Sequence, residues 1–242
     1  MKDNLNRLIV ALDVNDPGSA LELADRLGGC AGMFKVGMEL FYAAGGKIVR
    51  DIKSRGCKVF LDLKLHDIPN TVARAARVLT ALEPDIINFH ASGGPEMMKE
   101  AAFAVRDEAS KLGIQPPAVI AVTVLTSINE TILNDKIGVK WSVEDCVAGW
   151  AGMARDCGLD GVVASPKEVA VIRKNCGNDF IIVTPGVRPA GSEAGDQKRI
   201  MTPAGAISAG STYIVVGRPI TGSADPLQSA QKILDEIKGC VS

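Results

Sequence analysis

The chain has 242 residues, 47% of them hydrophobic but only 4% aromatic, and a formal net charge of -1. That length holds one large domain or two small ones, and a single (β/α) barrel needs ~250 residues. The near-neutral charge gives no reason to expect a nucleic acid or an anionic membrane as partner, and no apolar run reaches the ~18 residues of a membrane span. The opening MKDNLNR has no apolar signal core, which predicts a soluble, cytoplasmic protein. The cysteines, Cys30, Cys57, Cys146, Cys157, Cys176 and Cys240, contain no CxxC pair and read as reduced, mostly buried thiols. With only His66 and His90 as histidines, a histidine-rich metal site is not expected.

Strand-like and helical runs alternate along the chain. Arg7–Asp13 (RLIVALD) reads as a buried strand ending in a carboxylate, and Asp16-Pro17 as an N-cap opening a helix to about Leu27. Met33–Gly37 is a second strand carrying Lys35, with a helix predicted from about Glu39 to Ser54. Val59–Leu65 is the third strand, and Thr71–Leu82 its helix. Asp85–His90 is the fourth, followed by a helix over Pro95–Leu112. Ala118–Leu125 is the fifth, then a less regular segment and a helix over Val143–Cys157. Ser142 and Asp145 show capping-box spacing there, and Gly158 supplies the stop. Gly161–Ala164 is the sixth strand, with Ser165-Pro166 opening the next helix and Glu168 in its first turn. Phe180–Thr184 and Thr212–Val216 are the last two strands, and Pro226–Lys238 the last helix.

Strands alternating with helices imply a parallel sheet. Eight such units, with no linker and no GxGxxG after the first strand, predict one α/β domain over residues 1–242, a closed (β/α)8 TIM barrel rather than an open dinucleotide-binding sheet.

Active sites of such barrels lie at the carboxyl ends of the strands. Those ends form a polar ring: Asp13, Lys35, Asp62 and Lys64, Thr126 and Ser127, Arg188, then Gly217 and Arg218. The stretch LDLKLHDIPNT is its densest part. Residues two apart on a strand share a face, so Asp62 and Lys64 point the same way, and Asp67 lies just beyond. Alone, this could be an ordinary strand-end ion pair; the convergence of the other strand ends favours a site. TPGVR and VGR place glycines and arginines after strands 7 and 8, where barrels commonly hold phosphate. The long polar loop of about residues 188–199 reads as a lid. His66 and His90 are expected to be structural, and Trp141 and Trp150 to serve packing.

DLKLHDIPNT, TPGVR…AGDQKR and VGRPIT, together with LIVALDV and FKVGMELF, resemble the bacterial-type orotidine 5′-phosphate decarboxylases over nearly the whole chain. The resemblance implies a homodimeric barrel that uses no cofactor and converts orotidine 5′-monophosphate to UMP and CO2. It implies that Lys35, Asp62, Lys64 and Asp67 form an alternating charged tetrad, with Lys64 the proton donor to C6 and Asp67 given to the partner subunit's site. Asp13 would contact ribose, and Ile68 and Thr71 would reach across the interface. Thr126 and Ser127 would contact the nucleotide, and Arg188, Gln197, Gly217 and Arg218 would grip phosphate.

Chemistry points the same way. Loss of CO2 leaves a C6 carbanion with no ring carbonyl placed to delocalise it, so a preorganised cation must stabilise it. A lysine held charged by carboxylates can do so and then deliver a proton. The nearest alternative is a metal-dependent sugar-phosphate lyase or epimerase on the same scaffold, which a chelator would separate.

Overall fold

The computed structural model describes residues 7–189 and 201–239. Its strands are β1 (Leu8–Ala11), β2 (Met33–Gly37), β3 (Val59–Leu65), β4 (Ile86–His90), β5 (Ala118–Val122), β6 (Gly161–Val163), β7 (Ile181–Thr184) and β8 (Tyr213–Val216). They close into a parallel barrel in sequence order, β8 returning to pair with β1. The predicted (β/α)8 architecture is therefore present.

The helices are α1 (Pro17–Leu27), α2 (Met38–Ala44), α3 (Lys47–Lys53), α4 (Pro69–Thr80), α5 (Gly94–Leu112), α6 (Val143–Asp156), α7 (Val169–Cys176), α8 (Pro203–Ser208), α9 (Arg218–Thr221) and α10 (Pro226–Lys238). Local chemistry sets several of their starts. Asp16 accepts the Ser19 amide at 2.7 Å, Ser142 that of Asp145 at 2.9 Å, and Asp225 those of Leu227 and Gln228.

Three readings of the sequence need correction. The single helix expected over residues 39–54 is two, because Gly45 turns to φ 64°, where a right-handed helix cannot continue. A Cβ on Gly46 would lie 2.8 Å from Leu82, so this break also lets the chain pack closely on its neighbour. The segment from Ser165 begins as a 3-10 turn (Pro166–Glu168), and α7 proper starts at Val169. Between β7 and β8 the structure adds α8, capped by Thr202, which accepts the Gly205 amide at 3.1 Å. The irregular segment after β5 contains a π-helical turn, Ile132–Ile137, pinned where Asn134 donates to the carbonyls of Val139 and Trp141.

Side-chain alternation builds two cores. Leu8, Val10, Phe34, Val36, Val59, Leu61, Ile87, Phe89, Val119 and Ile214 face the helices. Ile9, Ala11, Met33, Phe60, Ile86, Ile120, Val183 and Val215 fill the barrel interior. Each large aliphatic or aromatic side chain removed from water this way stabilises the fold by ~1.5–3 kcal/mol.

The amino-terminal end of the barrel is closed by a repeated device. Asp85, before β4, accepts the first amide of β3 (Val59, 2.8 Å). Asp160, before β6, accepts the Val119 amide of β5 at 2.7 Å. Thr212, before β8, accepts the Ile182 amide of β7 at 3.0 Å. Strand ends that would otherwise leave donors unsatisfied are thus capped by neighbouring side chains. Of the cysteines, Cys30, Cys146 and Cys157 are buried, Cys57 and Cys176 half-buried, and all five are free thiols. Trp150 packs against the core, whereas Trp141 is 55% exposed.

Candidate active site

At the carboxyl end of the barrel the interior alternation continues, but with polar residues. Above Met33 comes Lys35, above Phe60 comes Asp62, and above Ile86 comes Asn88, all three buried. Beyond them a cavity of 460 Å³ opens, large enough for a small-molecule ligand. It is lined by Asp13, Lys35, Asp62, Lys64, Thr126, Arg188, Gly217 and Arg218, with an apolar wall that includes Phe60, Val122, Val163 and Val215. Every one of those eight polar-ring residues belongs to the set expected from the sequence.

Charge alternates through the site. Lys35 Nζ donates to Asp13 Oδ1 at 2.8 Å and lies 3.4 Å from Asp62 Oδ2. Lys64 Nζ donates to Asp62 Oδ1 at 2.7 Å. Burial alone would push the Lys35 ammonium down, but Asp62 and Asp13 outweigh it and hold its pKa above the ordinary lysine value. Burial alone would likewise raise the Asp62 carboxyl; the ammoniums of Lys35 and Lys64 and the Asn88 amide together hold it below the usual carboxylate range. Both groups are charged at neutral pH. Gly37 leaves room for this arrangement, since a Cβ there would come within 3.0 Å of Lys35 Nζ.

The backbone at Lys64 departs from a regular strand. Its φ is 52°, a region that costs a residue other than glycine ~1–3 kcal/mol. The pairing of β3 with β4 shifts register between Leu61 and Leu65, as a bulge does. Asn88 fills the resulting gap: its Oδ1 accepts the Lys64 amide at 2.8 Å, and its Nδ2 donates to Asp62 Oδ1 at 2.6 Å. Asn88 was not among the residues expected from the sequence. Its signal was there, a lone amide in the apolar strand IINFH, in step with the interior positions.

The remaining expected residues lie elsewhere. Asp67, Ile68 and Thr71 are exposed at the rim, beyond the cavity lining, with Asp67 accepting the Ile68 amide at 2.7 Å. Ser127 is exposed and does not line the cavity, whereas its neighbour Thr126 does. Gln197 and most of the 188–199 loop fall outside the described residues. Arg188 is buried, its Nη1 donating to the Val187 carbonyl at 3.0 Å. His66 and His90 stack with centroids 5.2 Å apart, and His90 Nδ1 shares a 2.8 Å hydrogen bond with the Ser92 hydroxyl. Burial, then His66 and Lys64, push the His90 pKa down, which suits a neutral structural role. Among the described residues, no three His, Cys, Asp or Glu side chains converge as metal ligands would.

A closed parallel barrel whose strand ends converge on a buried lysine–aspartate array, beneath arginine-bearing loops after β7 and β8, defines the class: a (β/α)8 barrel with its candidate site at the carboxyl face. The pattern of the orotidine 5′-phosphate decarboxylase / HUMPS family matches residues 6–233, and the chain belongs to that family. It is 55% identical over 233 residues to the orotidine 5′-phosphate decarboxylase of Moorella thermoacetica, covering 96% of this chain and 92% of the relative. It is 51% identical to the enzyme of that name from Syntrophomonas wolfei, covering 96% of this chain and 98% of the relative. The crystal structure of orotidine 5′-phosphate decarboxylase from Lactobacillus acidophilus superposes with a TM-score of 0.84 at 39% identity, over 96% of this chain and 98% of that one.

Proposed function

We propose that the protein decarboxylates orotidine 5′-monophosphate to UMP and CO2, with no cofactor, through a C6 carbanion stabilised and then protonated by Lys64. The observation that carries this reading is the Lys64 ammonium at the cavity wall, hydrogen-bonded to an ionised, buried Asp62. As the C6–carboxyl bond breaks, its electron pair stays on C6 and CO2 departs. The fixed ammonium stabilises that charge where water cannot reorganise around it. Nζ then gives its proton to C6 and regains one from solvent.

Asp62 orients Lys64 and sets a negative charge beside the departing carboxylate. Lys35 holds Asp62 on its other oxygen and ties it to Asp13, which accepts from a ribose hydroxyl. Thr126, with Ser127 beside it, contacts the nucleotide. Arg188, Gly217 and Arg218 take the phosphate, joined by Gln197 from the lid. The protein works as a homodimer: Asp67, Ile68 and Thr71 complete the neighbour's pocket. Supporting that last point, Ile68 is a large apolar side chain 67% exposed at the rim.

The test is direct. Purified protein in chelator should consume orotidylate absorbance and form UMP stoichiometrically with CO2. No turnover, or turnover that requires an added divalent cation, would overturn the proposal.

A further inference from the structure

We infer that Asn88 is a positioning residue of this site: its side-chain amide fixes both the Asp62 carboxylate and the Lys64 backbone, and so aims the ammonium. The inference rests on the decarboxylase reading above.

Asn88 is fully buried on β4, at the same interior level as Asp62 on β3. One planar group there does two different jobs. Its oxygen accepts the amide of Lys64, the residue at which the β3–β4 register shifts. Its nitrogen donates to the carboxylate oxygen that Lys64 Nζ also holds. Head and backbone of one lysine are therefore tied through a single amide to a single carboxylate. These two contacts also decide which way the amide faces, since the reverse orientation would place oxygen against carboxylate and N–H against N–H.

No other residue type of this length supplies both functions. Ionised aspartate keeps the acceptor and loses the donor, and leucine loses both. Without the acceptor, Lys64 has little reason to stay at φ 52°, and the lysine head would move with its backbone. Without the donor, Asp62 could rotate between Lys35 and Lys64 rather than serve both.

The ionised and titratable groups around Asp62 are Lys35 from β2, Lys64 from β3, Asp13 through Lys35, and the His66–His90 pair beside Lys64. None of them lies between Asn88 and Asp62, so a proton introduced at residue 88 acts on Asp62 directly.

The test compares Asn88→Asp with the parent enzyme across pH. At about pH 8 the variant carries a second carboxylate against Asp62, and kcat should fall about 10- to 100-fold, the span of one charge-assisted hydrogen bond. KM for orotidylate should rise as well, since the added charge opposes an anionic substrate, but by less than kcat falls, because the amide itself touches no substrate. Toward about pH 5.5 the two carboxylates share a proton, the protonated acid can donate as the amide did, and the deficit relative to parent should shrink. A loss of packing alone would give the same deficit at both pH values. An Asn88→Asp enzyme within about threefold of the parent at pH 8, or a deficit that does not vary with pH, overturns the inference.

Should Asn88→Asp fail to fold, Asn88→Ala is read by the same division, and a loss confined to KM overturns the inference. A crystal structure of Asn88→Ala reads it independently of activity. Lys64 is expected to leave its positive φ or to lose the bond to Asp62; an unchanged Lys64 in that variant refutes the positioning role even if the parent proves not to be a decarboxylase.

Discussion

On the proposed mechanism, replacing Lys64 with alanine removes the proton donor and the cation beside C6 in one step. A positioned general acid contributes ~10²–10⁴-fold, and a fixed electrostatic partner for developing charge ~10²–10³-fold. Both reside in one ammonium, so a fall of ~10⁴-fold or more in kcat is the expected loss. Binding should suffer too. Asp13, Lys35, Asp62 and Lys64 together carry no net charge, and the variant leaves one negative charge in excess where an anionic substrate must enter. Lys64→Arg should not restore the rate, since a guanidinium keeps the charge but is too weak an acid to give up its proton. The fold should survive, because the Lys64 head lies at the cavity wall rather than in the packed core. Orotidylate absorbance measured at high enzyme concentration, with circular dichroism as the check on folding, is the assay. A folded Lys64→Ala protein turning over within tenfold of the parent would refute the assigned role.

Mixing inactive Lys64→Ala with inactive Asp67→Ala should restore activity, because a hybrid dimer regains one site free of both substitutions; no recovery after verified subunit exchange would count against a shared site. Arg218→Ala, which removes a charge-assisted contact worth ~1.5–3 kcal/mol, should lower kcat/KM by at least about tenfold for the phosphorylated substrate and much less for the nucleoside. At the opposite end of the barrel, Asp85→Ala strands the Val59 amide and the Lys53 ammonium and should cost ~1–3 kcal/mol in denaturant unfolding while leaving kcat unchanged. The pH dependence of stability follows from two opposed shifts. Asp62, held below its unfolded value, stabilises fully above about pH 4 and stops doing so as pH falls through its folded pKa; Lys35, held above its own, stabilises fully below about pH 10 and stops as pH rises through its folded pKa. Urea titrations of Asp62→Asn should accordingly show a shallower acid limb than the parent, and an identical one would remove Asp62 from this account.

The sequence made the barrel and most of the site visible for one reason: a period of two. Ala11 and Asp13, Met33 and Lys35, Phe60 and Asp62 each lie two apart, so apolar interior and polar mouth could be read from the same alternation. Charge was the easier signal, and it led to Asp13, Lys35, Asp62, Lys64, Arg188 and Arg218 without structural help. Asn88 escaped because an amide within an apolar strand has no meaning until the register shift at Lys64 shows which amide lacks a strand partner. The broken helix at Gly45 and Gly46 escaped because its reason, close approach to Leu82, is tertiary. Ser127 looked equivalent to Thr126 because adjacent loop residues have no fixed face; the turn there points only one of them inward.

Lysine–aspartate pairs occur at both ends of this barrel, and what surrounds each carboxylate decides what it can do. Asp85 lies 2.8 Å from Lys53 Nζ and 2.8 Å from the Val59 amide. One of its two donors is backbone, so the carboxylate is part of the sheet, and moving it would unpair a strand. The donors to Asp62 are all side-chain heads, from Lys35, Lys64 and Asn88. Lys35 and Lys64 line a cavity, and Asn88 reaches Asp62 from the next strand by its side chain rather than its backbone. The backbone cost has moved one residue along, to Lys64 at φ 52°, where Asn88 rather than a strand neighbour absorbs it. An ammonium held by side chains can be aimed at a ligand and lose its proton without disturbing the ladder. The same pair of residue types thus serves stability where its partner is backbone and, on the proposed function, chemistry where its partners are other side chains.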